Sequence, residues 1–243
     1  MRTACFVLLA AVALAGGCRK TEQVINNRSE PADFLSDKKY KSLVVEIQYV
    51  EGYKPEAGVM DKLRSFMEAR LHKPAGIAFE YHPIPSPGKA FYDVTDAERI
   101  ERRYREENRH GATAAAYFLF LDGAYARDGE NSKVLGIAYG GSSVVMFGKT
   151  IHDYSGALGQ PSRSALETTV AIHELGHLLG LVNSGSPMVN NHEDASHPHH
   201  CNNRNCIMYY EAETSDIIAN LLGNGIPELD QQCISDLQVN GGR

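Results

Sequence analysis

Tryptophan is absent from this 243-residue sequence, and so is any excess of basic charge. Twelve tyrosines and eight phenylalanines supply the aromatic bulk instead. A formal net charge of -6 leaves no basic footprint for a nucleic acid, which excludes that class of partner. No repeat or low-complexity tract interrupts the chain, and nothing in its composition marks a second domain. An apolar run long enough to span a membrane as a stable anchor is also missing. The stretch "ACFVLLAAVALAGG" that follows Arg2 is too short and too rich in alanine, and it ends in small residues directly before Cys18. A short basic start, an apolar stretch and small residues together form an export signal.

Around Cys18 the sequence resembles a bacterial lipoprotein signal, in which a peptidase cuts before the cysteine and a lipid is attached to its sulfur. Ala15 stands where leucine is commonest in such signals. The resemblance implies a signal peptide over 1–17, Cys18 as the lipidation site, and a place in the cell envelope, lipid-anchored on the periplasmic or extracellular face. The following "RKTEQVINNRSEPADFLSDKKYK" is polar and poor in apolar periodicity, so 18–40 reads as a flexible tether. The folded domain is expected over 41–243.

Within that domain, alternation and β-branched residues predict a first strand in "SLVVEIQYV" (42–50). Val59, Leu63, Phe66, Met67 and Leu71 recur at helical spacing in the segment after it. "GIAFEYHPI" reads as a second strand, and "DAERIERRYREENRH" as a charged helix lying on the surface with a solvated face. "TAAAYFLFLDG" reads as a buried strand, and two more strands, "KVLGIAYGG" and "SSVVMFGKT", follow it. A helix over "SRSALETTVAIHELGHLLG" and a helical stretch near the C-terminus complete an α/β or α+β domain with a mixed twisted sheet.

The long helix near the middle of that description carries the chemistry. His173 and His177 are four residues apart, so on a helix their imidazoles share one face and can bind a single metal. Nitrogen donors in that arrangement suit tetrahedral zinc, with one position left for water in a catalytic site. Glu174, beside the first histidine, is placed to take the proton of that water and pass it to a leaving amine. Val170, Ile172, Leu175, Leu178 and Leu179 embed the motif in an amphipathic helix. Gly180 ends it with a residue that tolerates positive φ and lets the chain turn back towards the metal.

A third ligand is harder to find. HExxHxxG resembles the metzincin proteases, whose third zinc histidine stands three residues after the glycine, but here that position is Asn183, a poor zinc ligand. Downstream lie His192, His197, His199 and His200, the last within "HCNNRNCIM". The form H-C-x4-C-x-M resembles the archaemetzincins, in which the third zinc histidine precedes the first cysteine and the methionine forms the Met-turn beneath the metal. Carried over, the resemblance implies His173, His177 and His200 as ligands, Glu174 as base and Met208 as the Met-turn residue. It requires an insertion of about seventeen residues before His200, which is cheap because loop closure costs only logarithmically more with length.

The same family continues with a C-x-x-C pair and binds a structural zinc through four cysteines. Only Cys233 follows here, so a four-cysteine site is ruled out. In an exported protein, Cys201 and Cys206 are expected to form a disulfide bracing His200. Their other use is a second, structural zinc held by Cys201, Cys206, Cys233 and His192 or His197. Tyr210, two residues past Met208, stands where related metzincins place a tyrosine that reaches the zinc or the oxyanion formed on the substrate. His192, His197 and His199 are otherwise expected to face solvent or brace the loop. "VLGIAYGG" resembles the exposed edge strand above the metzincin cleft, where an extended peptide pairs through its main chain. These features imply a zinc-dependent metalloendopeptidase with one catalytic Zn(2+), acting on peptide or protein substrates. Two alternatives remain: a non-catalytic zinc-binding surface lipoprotein, and a gluzincin with Glu193, Glu211 or Glu213 as third ligand.

Overall fold

The apolar runs become strands with both faces covered. The computed structural model describes residues 28–130 and 133–243, so Cys18, the signal over 1–17 and the first part of the tether, 18–27, lie outside the described residues. The element order is α1 (Pro31–Leu35), β1 (Ser42–Val50), α2 (Ala57–Arg70), β2 (Ile77–Ile84), β3 (Phe91–Tyr92), α3 (Val94–Tyr104), β4 (Thr113–Leu121), β5 (Ala124–Tyr125), β6 (Gly136–Tyr139), β7 (Ser143–Phe147), α4 (Gly148–Asp153), α5 (Arg163–Leu178), α6 (Ile218–Asn224) and α7 (Gln231–Val239). Two 3-10 turns, Tyr210–Glu213 and Ser215–Ile217, lie between α5 and α6.

Five strands form a sheet in the order β2-β1-β4-β7-β6, as the mixed α/β reading expects. All pairs are parallel except β6 with β7, and β6 lies at one edge. Strand alternation divides the apolar residues between two cores. Leu43, Val45 and Ile47 of β1 join Ala116, Phe118 and Phe120 of β4 on the face covered by α2 and α5. Tyr117, Leu119 and Leu121 face the other way, towards Ala97 and Ile100 of α3. Because α5 packs on a sheet, its motif residues are held by a rigid layer.

Two expectations need correction. The tether does not extend to residue 40: Phe34, Leu35 and Tyr40 are buried in the core. Lys73, itself buried, donates to the carbonyls of Asp33, Ser36 and Tyr40 at 2.9, 2.5 and 2.8 Å, which fixes that segment to the body. Nor is the charged helix α3 a purely solvated element. Glu101 and Arg105 pair at 2.5 Å with side chains 6% and 0% exposed, and Ser143 of β7 donates to Glu101 at 2.8 Å. Burial of this pair is tolerated because each charge has further hydrogen-bond partners.

Candidate metal centre

Helix α5 starts where Ser162 accepts a hydrogen bond from the Ala165 N–H at 3.1 Å, an N-cap that satisfies one free donor of the first turn. It runs with nearly every residue buried as far as Leu178 and turns at Gly180, whose φ is +78°. A Cβ at Gly180 would lie 2.6 Å from the Ser186 nitrogen, so glycine is needed for space as well as for φ. Val182 (φ 48°) and Asn183 (φ 64°) continue the left-handed turn. A β-branched residue there costs on the order of 1–3 kcal/mol, supplied by the surrounding packing.

The turn returns the chain to the metal face, and three imidazoles converge. His173 and His177 Nε2 are 3.0 Å apart. The His200 ring stacks on His173 with centroids 5.3 Å apart and lies edge-on to His177 at 5.2 Å. Each ring is fixed through its other nitrogen. His173 Nδ1 donates to the Ile207 carbonyl at 2.7 Å, and His200 Nδ1 to the Pro198 carbonyl at 3.0 Å. His177 Nδ1 is 3.2 Å from the Ser184 hydroxyl. Carbonyl acceptors fix the tautomer, leaving the Nε2 lone pairs directed at a common point. Burial pushes the His173 imidazole down to about 4 and holds His177 well below its usual range, so both are neutral and ready to ligate.

The donor chemistry fits zinc on a second count. The buried His200 Nε2 and both carboxylate oxygens of Glu174 have no hydrogen-bond partner. Orphaned polar atoms at one spot are costly unless a ligand completes them. Burial, and then the nearby charge of Glu213, hold the Glu174 carboxyl well above the usual carboxylate range. The cluster also includes Glu213, so that ligand atoms of His173, His177, His200 and Glu213 lie within 4.8 Å of one another.

Met208 is fully buried against α5. A Cβ on Gly176 of α5 would collide with the Met208 sulfur, so the helix approaches this methionine more closely than an alanine allows. The Cys201 N–H donates to the Met208 carbonyl at 2.7 Å, tying Met208 to the residue that follows His200. Asn183 is outside the donor cluster: it is exposed, and its amide donates to Glu193 at 3.4 Å. Glu193 also accepts from the His199 N–H at 2.7 Å, so it braces the inserted loop. Glu211 faces Arg204 at 3.4 Å. Of the three glutamates considered as ligands, Glu213 alone reaches the imidazoles.

Tyr210 is placed differently from the expectation. Its ring stacks on His197 with centroids 3.6 Å apart and planes 7° from parallel. The cleft side of its turn is taken by Glu213, three residues on. The cleft, of about 740 Å³, is also bordered by Ile137 to Gly141 of β6 and its turn, by Glu174, and by Arg28 to Pro31. The contribution of residues 28–31 had no signal in the sequence, because they were read as part of the tether.

The cysteine reading also needs correction. Cys201, Cys206 and Cys233 are free thiols, with the Cys206 and Cys233 sulfurs 3.6 Å apart, so no Cys201–Cys206 disulfide braces His200. Ligand atoms of His192, Cys201, Asp230 and Cys233 lie within 4.8 Å of one another, a second donor group. His192 is buried rather than solvent-facing. Its Nε2 is held by Asp236 at 2.8 Å, and its Nδ1 faces Cys201 Sγ at 3.5 Å. His197 instead pairs with Asp194 at 2.8 Å. Hydrogen bonds from Cys201 and Cys233 push the Cys206 thiol down to about 4, favouring a thiolate among the three sulfurs.

No protein-family model matches the sequence, and no curated protein matches it significantly. Among solved structures, the chain is similar to the archaemetzincin of Methanopyrus kandleri, with 16% identity and a TM-score of 0.51 over 84% of this chain and 96% of that one. It is also similar to the zinc-dependent peptidase of Methanocorpusculum labreanum (strain Z), with 15% identity and a TM-score of 0.48 over 79% and 99% of the two chains. The mixed sheet and its helices thus form the archaemetzincin fold.

Proposed function

We propose that the protein is a zinc-dependent metalloendopeptidase that hydrolyses peptide bonds in peptide or protein substrates. One observation carries the reading: three imidazole nitrogens converge beside the buried, unpartnered carboxylate of Glu174. Zinc bound there supplies Lewis acidity to a substrate carbonyl and acidifies water. The chain does the rest. The three histidines are oriented by Ile207, Pro198 and Ser184, and burial holds His173 and His177 neutral. Glu174 takes a proton from the attacking water and hands it to the leaving amine. Burial and the nearby charge of Glu213 hold this carboxyl well above the usual range, and a divalent cation alongside would favour the carboxylate that the role requires. The free edge of β6 borders the cleft and offers main-chain hydrogen bonds to an extended peptide.

A non-catalytic zinc-binding surface protein would have no use for a buried carboxylate at this position, which favours the enzyme. The second donor group, His192, Cys201, Asp230 and Cys233, suits a structural zinc, with Asp236 orienting the imidazole. Lipid attachment at Cys18 and a cell-envelope location remain part of the proposal on the strength of the signal alone. The test is cleavage of a mixture of unstructured peptides. Activity abolished by a chelator and restored by zinc supports the reading. A protein that holds zinc yet cleaves nothing in the mixture favours the binding alternative.

A further inference from the structure

Glu213 has no task in the mechanism above, yet its placement is tightly controlled. It closes the turn Tyr210–Glu213, and its carbonyl accepts a hydrogen bond from the Leu135 N–H at 2.8 Å. Val134 and Thr214 form an antiparallel bridge, and the Ser215 N–H donates to the Lys133 carbonyl at 2.9 Å. The backbone of Glu213 is thus stapled to the chain entering β6. From there its Oε1 reaches 3.5 Å from His200 Nε2, and its Oε2 reaches 3.9 Å from His173 Nε2.

These separations have a simple geometric meaning. Ligands at roughly 2.0–2.1 Å from a tetrahedral ion are about 3.3 Å from one another along each edge. Glu213 Oε1 lies close to that spacing from His200 Nε2, and Oε2 stands somewhat farther from His173 Nε2. The carboxylate therefore stands beside the three imidazoles, with ligand atoms of all four groups within 4.8 Å of one another. Its side chain is 29% exposed, against 0% for His173 and 11% for His200, and it lines the cleft. Solvent and substrate arrive from that direction.

We propose that Glu213 is a fourth protein ligand of the zinc, so that the resting site is closed and a substrate must displace the carboxylate before hydrolysis begins. The inference rests on the zinc reading above. Four protein donors make a closed site of structural type, whereas catalysis needs an open position. Glu174 has a function only when that position opens. Displacement reconciles the two, and the staple to β6 places the carboxylate next to the edge along which a peptide would lie.

The test uses the full chain loaded with cobalt(II), whose visible spectrum reports changes in coordination, titrated with azide as a small competing ligand. Glu213→Gln and Glu213→Asp are compared with wild type. Aspartate keeps the charge but is one methylene too short to reach the metal. Both variants should respond at azide concentrations at least about tenfold lower than wild type, and should bind cobalt about tenfold more weakly or worse. Equal azide responses in wild type and Glu213→Gln would show a site already open and overturn the inference while leaving the zinc reading intact. Wild-type azide resistance in Glu213→Asp would assign the effect to charge alone, with the same consequence. A wild-type chain that binds no cobalt would overturn both.

Discussion

At the residue scale the centre depends on atoms that leave little freedom. Each ligand imidazole is anchored through Nδ1, so only Nε2 faces the common point. Glu174 adds a carboxylate with no partner of its own. Glu174→Gln keeps the shape and removes the base. Zinc content should stay at the wild-type level while peptide hydrolysis falls by several orders of magnitude, on the order of 10²–10⁴ or more, in single-turnover assays. Hydrolysis at the wild-type rate would contradict the assignment. His173, Glu174 and His177 were legible in the sequence because helical spacing is a local property. His200 was legible only through the neighbouring C-x4-C-x-M, since nothing local distinguishes it from His197 or His199. Glu213 was legible only as one of three alternative ligands and Ser184 not at all, because a distant clamp to Leu135 and the left-handed turn at residues 180–183 place them. The role expected of Tyr210 came from the resemblance to related metzincins, and stacking on His197 takes its ring elsewhere.

At the scale of elements, α5 is the part on which the centre depends most. Gly176 faces the Met208 sulfur too closely for a Cβ. Replacing a helical glycine with alanine normally stabilises by about 1 kcal/mol, whereas overpacking costs roughly 1–3 kcal/mol. Gly176→Ala should therefore be destabilising in denaturant titration, and a stabilised variant would show that the contact is loose. Near the start of the same helix, burial raises the Glu167 carboxyl to about 7, against the partial relief of the Glu56 N–H and Arg163. A carboxyl raised in the folded state gives its full contribution below the unfolded value near 4.5 and loses it as pH rises through about 7. Wild type should lose up to about 3 kcal/mol across that window, and Glu167→Gln should flatten this part of the profile. An unchanged slope would remove Glu167 as its source. The strands and α5 were predicted within a few residues because their apolar patterns are strong. The burial of Glu101 and Arg105 in α3 was missed because a charge run gives no sign of a partner on another strand.

At the scale of the whole molecule, the mixed sheet was legible as a class, but its strand order was not, since pairing joins segments far apart in sequence. The cysteines show the same limit. Their spacing suggested a disulfide, whereas the fold brings Cys233, Asp230 and His192 to them from other elements. The folded body takes in residues 28–40, so a lipid at Cys18 would hold the cleft within about ten residues of the membrane, or at most roughly 35 Å of extended chain. Cys18→Ser should shift the protein from the membrane fraction to the soluble fraction of the cell envelope, and persistence in membranes would contradict the anchor. The central claim is that the third zinc ligand has moved from the position of Asn183, across an inserted loop, to His200. The most direct measurement is the zinc content of the purified Asn183→Ala and His200→Ala proteins after dialysis against a weak chelator. Asn183→Ala should retain the wild-type content, and His200→Ala should lose the metal of this centre. Loss in Asn183→Ala with retention in His200→Ala would contradict the account.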